Sequence, residues 1–219
     1  MFEDTGIENC PAVPCVGNGI GSPGTPNPVI TITKPTPSAP FLTVATVGGS
    51  YADGLAKIVR PLLVPNKGEF QYCYDIMTDA RTPGAAQALE TTPRVVLANG
   101  NDLPGDFQVN YEEGGMIQIW QSKANPWVDT GIKIGKYTPG VWYLVVIDYT
   151  FDAETMSIPW FSINGKVYEI PASMLKVAQG TGLGWPVNSI YIQKQLDLNK
   201  GGGAFAVSYK NVQIVYPGT

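Results

Sequence analysis

Amide and aromatic side chains occupy alternate positions in two short apolar segments, and these residue types suit contact with a sugar. Residues 116–121 read Met-Ile-Gln-Ile-Trp-Gln, and residues 189–195 read Ser-Ile-Tyr-Ile-Gln-Lys-Gln. Because successive side chains of a strand point to opposite faces, the isoleucines would enter the core while the amides and rings face outward. Rings stack on the C–H faces of sugars, and amides bind hydroxyl groups. The pattern therefore favours a sugar-binding face.

The candidate residues of this face come from three predicted strands and two loops. Arg94 points outward if its neighbours Val95 and Leu97 point inward, and the loop tryptophans lie beside prolines. The same face has a second interpretation as a packed layer, with Trp120 buried under a loop or a neighbouring subunit. The candidate glycan-binding residues are Arg94, Gln118, Trp120, Tyr191, Gln193, Trp127 and Trp185.

The sequence contains no histidine, which excludes several kinds of catalytic and metal site. A Ser-His-Asp triad, a Cys-His dyad and an HExxH zinc site all require it. Carboxylates such as Asp148, Asp152 and Glu154 are scattered, and no two can be placed at the separation that glycoside hydrolysis needs. The adjacent Glu112 and Glu113 are typical of a solvated turn before two glycines. We therefore predict no catalytic residue.

Charge and composition disfavour other partners. The formal net charge of −4 makes nucleic-acid binding over a broad surface an unfavourable interpretation. No apolar run is long enough to predict a membrane-spanning helix. We predict no cofactor and no metal ligand, with one weak alternative. Loop oxygens of Asn101, Asp102 and Asp106, or of Asp197 and Asn199, would suit Ca²⁺.

The three cysteines are Cys10, Cys15 and Cys73. Their number is odd, they form no CxxC motif, and three thiolates without histidine make a poor zinc site. Cys10 and Cys15 can close a small loop as a disulfide, or remain reduced, depending on the redox compartment. Cys73 lies in an apolar stretch, so we expect it in the core.

Proline and glycine set residues 1–40 apart from the remainder of the chain. Such a segment cannot bury enough apolar surface to fold alone, so it predicts an extended arm that something else holds. Its inner stretch, residues 29–33, is a β-branched run that favours a strand added to a neighbouring sheet. The holder would be the chain's own domain, residues 41–219, or a neighbouring subunit.

From residue 41 onward, short apolar runs of period two alternate with Gly, Pro and Asn. This pattern predicts an all-β fold, a two-sheet antiparallel jelly-roll sandwich. Asn164-Gly165 favours a type I′ hairpin that pairs Ile163 with Lys166. Two short helices are predicted, at residues 85–90 and 172–178.

Residues 140–149, the hairpin around Asn164-Gly165, residues 189–193 and residues 205–214 resemble the concanavalin A-like lectin/glucanase superfamily. Within it, alginate-lyase-like enzymes carry an Arg-bearing strand, a Gln-x-His strand and a Tyr-x-Lys strand on the concave face. The matching positions here are Arg94, Gln118 to Trp120, and Tyr191 to Gln193. Trp120 stands where the histidine should be, and Gln193 where the lysine should be. The resemblance therefore implies a binding scaffold rather than a competent lyase.

Two classes of function follow as expectations. The first is a non-enzymatic assembly protein with a lectin-like domain, such as a virion decoration, fibre or tail component, whose arm contacts neighbouring subunits. Residues 1–6 have no basic or apolar segment typical of a secretory signal, and we expect a virion or extracellular assembly as its location. The alternative is a carbohydrate-binding module, or a lyase or glycoside hydrolase of the same fold, with polysaccharide as partner.

Overall fold

A computed structural model describes residues 16–20, 28–60, 66–121, 127–174, 176–177 and 187–216, with the backbone alone at 16–20, 53–60, 176–177 and 191. The elements of the first half are β1 (Val16–Ile20), β2 (Val29–Thr33), β3 (Leu42–Gly48), β4 (Ala52–Arg60), β5 (Gly68–Thr78), α1 (Thr82–Ala85), β6 (Ala86–Val96), β7 (Asp102–Pro104) and β8 (Phe107–Asn110). The second half contributes β9 (Met116–Trp120), β10 (Trp127–Lys133), β11 (Tyr143–Phe151), β12 (Thr155–Ser157), β13 (Trp160–Ile163), β14 (Lys166–Glu169), β15 (Lys176–Val177), β16 (Ser189–Leu198) and β17 (Gly203–Val215).

The described strands form two antiparallel sheets, which confirms the predicted all-β sandwich. We call the sheet with the order β1-β4-β16-β6-β8-β9-β10 the front sheet, and β7 joins it beside β6. The other, the back sheet, has the order β14-β13-β11-β5-β17-β3-β2, with β12 and β15 attached beside β11. Neighbours in each sheet are often distant in sequence, so the fold depends on long-range pairing.

The core lies between the two sheets and consists of alternate residues of their strands. On β11 the side chains of Val145, Ile147 and Tyr149 are fully buried, while the residues between them reach the outer surface. Aromatic rings fill much of the interior, with Phe70 stacked on Tyr149 and Phe107 edge-on to Phe161. The period-two pattern of the sequence therefore corresponds directly to the two faces of each strand.

Two strands of the predicted arm pair with the chain's own domain. β1 lies antiparallel to β4 at one edge of the front sheet, and β2 lies antiparallel to β3 at one edge of the back sheet. The β-branched residues of β2 thus add a strand to a sheet, as their composition favours. Contact between the arm and neighbouring subunits stays a prediction.

The hairpin predicted at Asn164-Gly165 is confirmed. Ile163 pairs with Lys166, and both turn residues have positive φ, 49° and 80°. A type I′ turn requires such angles at both central positions, and asparagine and glycine tolerate them best. The hairpin closes the edge of the back sheet formed by β13 and β14.

Both predicted helices are wrong. Residues 86–90 belong to β6, because Leu89 lies opposite Leu196 of β16 in the core, and this pairing outweighs local helix propensity. Helix α1 is a single turn before that strand, with proline in its first turn. In the second case, the described residues 171–174 form a turn, and Lys176–Val177 pair with β12.

Cys73 is also placed differently from the prediction. It lies on β5 between the buried Tyr72 and Tyr74, so alternation sends its side chain to the outer face of the back sheet, where it is half-buried. Partial burial raises the pKa of its thiol. Cys10, Cys15 and the proposed disulfide between them lie outside the described residues. The described part of the chain contains no helix with the length and apolar character that a membrane crossing requires.

Candidate functional site

The outer face of the front sheet carries the predicted amide and aromatic residues. On β9, Ile117 and Ile119 are fully buried in the core, so Gln118 and Trp120 face away from it. On β6, Val95 is fully buried and Arg94 is on the opposite face. On β16, Ile190 and Ile192 point inward, so Gln193 belongs to the outer face. These predicted orientations are confirmed.

A straight line of polar residues crosses five adjacent strands on this face. Each member lies directly opposite the next in strand register, and the line spans about 19 Å because neighbouring strands are ~4.8 Å apart. We call this line the polar row. From β16 to β10 its members are Gln195, Glu90, Gln108, Gln118 and Asp129.

Gln118 is the centre of a hydrogen-bond network within the row. Its Oε1 accepts from Gln108 Nε2 at 2.5 Å and from Asn110 Nδ2 at 3.0 Å. Its Nε2 donates to Asp129 Oδ1 at 2.6 Å and to Glu113 Oε1 at 3.3 Å. An amide has two donor hydrogens and two acceptor lone pairs, so these four contacts use all of them. The network fixes Gln118, which is only 6% exposed, in one orientation.

A tight turn after β8 brings Glu113 to this network. Its backbone N–H donates to Asn110 Oδ1 at 3.0 Å, and two glycines with positive φ follow it. At Gly115 a Cβ atom would lie 2.1 Å from the carbonyl oxygen of Gly135, so the chain tolerates glycine alone there. The turn predicted from Glu112 and Glu113 is therefore present, and it aims one of the two carboxylates at Gln118.

Two tryptophans lie at the β9–β10 end of the face. Trp120 and Trp127 are directly opposite each other in register, and both are half-buried. Residues at opposed positions of antiparallel strands share a face and have Cβ atoms about 5 Å apart. Trp127 therefore begins β10 beside Trp120. Together they give the face an apolar surface next to Asp129 and Gln118.

Arg94 lies on β6, the central strand of the front sheet, and forms an ion pair with Asp102 of β7. β6 changes its partner from β8 to β7 between Thr91 and Arg94, at the level of Pro93 and Gly105. The Gly105 N–H donates to the Pro93 carbonyl at 2.7 Å, and a Cβ at Gly105 would contact that oxygen at 2.9 Å. Burial raises the pKa of Asp102, and the Arg94 guanidinium opposes this shift.

The predicted site residues fall into two groups on one face. Gln118, Trp120 and Trp127 lie together on β9 and β10. Arg94 and Gln193 lie on β6 and β16, where Arg94 is opposite Tyr191 in register and the Gln193 Nε2 donates to Gln195 Oε1 at 3.3 Å. Strand β8 separates the two groups. Trp185 lies outside the described residues, as does the side chain of Tyr191.

Sequence reasoning missed five further polar residues on or beside this face. Alternation in Phe107-Gln108-Val109-Asn110 is the signal that predicts two of them, since Phe107 and Val109 are buried in the core. Glu90 was hidden by the wrong helix prediction. Asp129 and Glu113 carry no signal of their own, because only pairing with Gln118 shows their role. The missed residues are Glu90, Gln108, Asn110, Glu113 and Asp129.

The residues considered for Ca²⁺ have other contacts. Asp102 pairs with Arg94. The Asn199 Nδ2 donates to the Gly84 carbonyl, and its Oδ1 accepts from the Gly201 N–H. Within the described ranges, no group of three or more Cys, Asp or Glu side chains is close enough to hold a metal ion.

The carboxylates of the face differ in their separations. Glu90 and Asp129 are three strands apart, about 14 Å, which exceeds the separation used in glycoside hydrolysis. Glu113 and Asp129 both accept from Gln118 Nε2, so their accepting oxygens are at most about 6 Å apart, close to the separation in retaining glycosidases. Both side chains are exposed. The structure therefore contains one carboxylate pair that sequence reasoning could not place.

No family model matches the chain, and no curated protein matches it. Solved structures similar to it include a family 7 alginate lyase, at 11% identity and TM-score 0.48, covering 82% of this chain and 79% of that chain. Peanut lectin matches at 12% identity and TM-score 0.42, covering 92% and 98%. A family 11 carbohydrate-binding module from Clostridium thermocellum matches at 14% identity and TM-score 0.37, covering 97% and 93%. The strand pairing described above establishes the two-sheet sandwich of this chain.

Proposed function

We propose that the outer face of the front sheet binds a polysaccharide without any cofactor. The polar row carries this proposal. It aligns amide and carboxylate side chains across five strands and places two half-buried tryptophans at one end. A line about 19 Å long suits an extended chain of several sugar rings.

The chemistry of the row matches that of a sugar chain. Each ring of a polysaccharide offers hydroxyl groups along its edge and C–H groups on its faces. The exposed Asp129 and the half-buried Gln195, at the two ends of the row, accept hydrogen bonds from the hydroxyls. Trp120 and Trp127 offer ring faces to the C–H groups. The network around Gln118 holds Asp129 in place before binding, which reduces the entropy lost on binding.

Affinity electrophoresis in gels that contain soluble polysaccharides tests this proposal. The panel would include a neutral β-glucan, glycol chitosan and alginate. We expect at least one of them to retard the protein, and Trp120→Ala or Trp127→Ala to weaken that retardation at least tenfold. Truncating an aromatic residue that anchors an interface costs about 2 kcal/mol or more of binding free energy, which corresponds to more than a tenfold loss of affinity.

Trp160→Ala is the matched control, because Trp160 is a half-buried tryptophan on the back sheet, opposite Glu169. It should bind as the wild type does. Trp120→Tyr retains an aromatic ring and should recover part of the affinity, and melting temperatures identify any variant that fails to fold. Absence of retardation by every polysaccharide, or equal retardation of Trp120→Ala, Trp127→Ala and Trp160→Ala, contradicts the proposal.

One observation favours a second candidate, glycoside hydrolysis. Glu113 and Asp129 are exposed carboxylates whose accepting oxygens both contact Gln118 Nε2, and Asp129 is two residues along β10 from Trp127. Release of reducing ends from the polysaccharide that binds would support it. Glu113→Gln and Asp129→Asn should then each abolish release, whereas a bound polysaccharide that stays intact assigns the face to binding alone.

The assembly role in a virion or extracellular array stays a prediction. Exposed apolar side chains such as Val47, Leu144 and Val167 lie on strands of the back sheet. Light scattering at increasing protein concentration tests the role, and a monomer at every concentration would contradict it.

A further inference from the structure

We propose that the polysaccharide taken by this face carries positive charge, as a polymer of amino sugars with free amino groups does, and that polyuronates are rejected. This inference rests on the proposed function. Three observations support it: the charges of the side chains on the face, the ion pair that occupies Arg94, and the hydrogen-bond acceptors that remain around Gln118.

The described, exposed side chains of this face include more acidic than basic residues. Among the side chains that the structure describes, Lys133 and Arg94 are its cations. Lys133 lies opposite Met116 at the end of β10 and is exposed. The exposed acidic side chains are Glu113 and Asp129, whereas Asp102 is already paired with Arg94. A uronate polymer would bring a negative charge on every ring to an already negative surface.

Arg94 is one of the two described cations of the face that a uronate carboxylate would need as a partner. Its guanidinium forms an ion pair with Asp102, and the two side chains are only 20% and 7% exposed. A guanidinium that already binds a carboxylate presents little net charge to a ligand. Freeing Arg94 would leave the charge of Asp102 buried and unpaired, which is costly. The face therefore lacks an available neutralising group at this position.

The network around Gln118 uses up donors and leaves acceptors. Both N–H groups of Gln118 go to Asp129 and Glu113, and the Asn110 Nδ2 donates to Gln118 and, at 3.4 Å, to Glu113. Each carboxylate oxygen has further lone pairs after these contacts. The groups that remain open are acceptors, so the best ligand is a donor, and an ammonium group offers three charged N–H donors.

Trp120 and Trp127 favour the same ligand. A sugar ring stacked on either tryptophan would place its substituents close to Asp129, which is exposed and accepts from the same Gln118 amide as Glu113. An ammonium group there would meet two carboxylates whose accepting oxygens are about 6 Å apart or closer. An aromatic face also attracts a cation directly.

Isothermal titration calorimetry with three oligosaccharides of equal length tests the inference: glucosamine, N-acetylglucosamine and guluronate hexamers. We expect the glucosamine hexamer to bind about tenfold more tightly than its acetylated form, and to lose affinity as salt is added. The guluronate hexamer should not bind. Glu113→Gln and Asp129→Asn should each weaken glucosamine binding about two- to fivefold, the range of an exposed ion pair.

Glu169→Gln is the matched control, since it removes one negative charge from an exposed position on the back sheet. Equal affinity for the free and acetylated hexamers, tight guluronate binding, or the same loss in Glu169→Gln as in Asp129→Asn would overturn the inference. If the acetylated hexamer binds through Trp120 and Trp127, the proposed function survives that result. If no hexamer binds and the polysaccharide gels also show no retardation, both fail.

Discussion

Two of the polar side chains that the front sheet buries, Gln118 on the outer face and Lys194 on the inner face, are satisfied in different ways. Gln118 lies under the outer face with four polar partners: Gln108, Asn110, Glu113 and Asp129. Lys194 of β16 points into the core and is 1% exposed. Its Nζ donates to Thr91 Oγ1 at 2.6 Å and lies over three tyrosine rings, the nearest centroid, that of Tyr74, at 3.2 Å.

Gln118 belongs to a complete polar network, whereas the polar surroundings of Lys194 are incomplete. Every donor and acceptor of Gln118 has a polar partner, so its burial is offset. The Lys194 amine has one hydroxyl acceptor among the described residues, and ring faces of Tyr72, Tyr74 and Tyr209 take the place of others. Desolvation lowers the pKa of this amine well below its usual value. The complete network lies at the outer face, where we propose that polysaccharide binds. Lys194, whose burial is costly, lies in the core.

Replacing Lys194 should give the largest effect on stability. Lys194→Ala would leave a cavity among three tyrosines, and we expect it to lower the free energy of unfolding by about 2 kcal/mol or more. Lys194→Met fills the same space without a polar group, so it should match or exceed the wild type. Urea denaturation measures both. Equal destabilisation by the two variants would show that the amine itself, and not the filled volume, stabilises the core.

Truncating Gln118 tests the complete network. Gln118→Ala removes the common partner of two amides and two carboxylates, and we expect a loss of about 1–3 kcal/mol. Gln193→Ala is the matched control, because Gln193 is half-buried on the same face with one long hydrogen bond, at 3.3 Å. Its loss should stay within about 0.5 kcal/mol. If both variants lose the same stability in urea denaturation, the network is not cooperative.

The pH dependence of stability should show whether the pKa of the Lys194 amine is lowered in the folded protein. With the folded pKa of Lys194 lowered and the unfolded pKa near 10.4, the unfolded chain binds more protons between those two values. Stability of the wild type relative to Lys194→Met should therefore rise as the pH increases from the lowered folded pKa towards pH ~10. The facing groups are Thr91 and three tyrosines whose pKa values burial raises, so they stay protonated in this range. A flat difference between the two proteins would contradict the lowered pKa.

The smallest effect is expected from Glu113→Gln. The amide oxygen can still accept from Gln118 Nε2, and the side chain is exposed. We expect the substitution to change the free energy of unfolding, measured by thermal unfolding, by no more than about 0.5 kcal/mol. A larger loss would mean that the charge of Glu113, and not its geometry, holds the turn after β8.

Local patterns in the sequence predict much of this fold. Asn164-Gly165 specifies its hairpin because few residue pairs tolerate two positive φ angles. The alternation in β9 assigns Ile117 and Ile119 to the core and Gln118 to the outer face. The same rule applied to β16 assigns Lys194 to the core beside Ile192 and Leu196, an outcome that residue type alone disfavours.

The failures of prediction have one physical origin. Residues 86–90 favour a helix locally, but pairing between Leu89 and Leu196 brings together residues more than one hundred positions apart. The polar row has the same origin, since Gln195 and Asp129 come from distant segments. Periodicity predicts the face of the sheet on which a residue lies, but it does not predict which strand pairs with that residue's strand.

The sequence by itself determined the period-two strands, the hairpin, and the outward orientation of Arg94, Gln118 and Gln193. The tertiary structure alone decided that Glu113 and Asp129 share the Gln118 amide, that Asp102 occupies Arg94, and that Lys194 meets three tyrosines. The reason is that alternation is a property of a single strand, whereas strand order and register depend on long-range contacts. The charge of the candidate site, and so the ligand proposed for it, follows from those contacts.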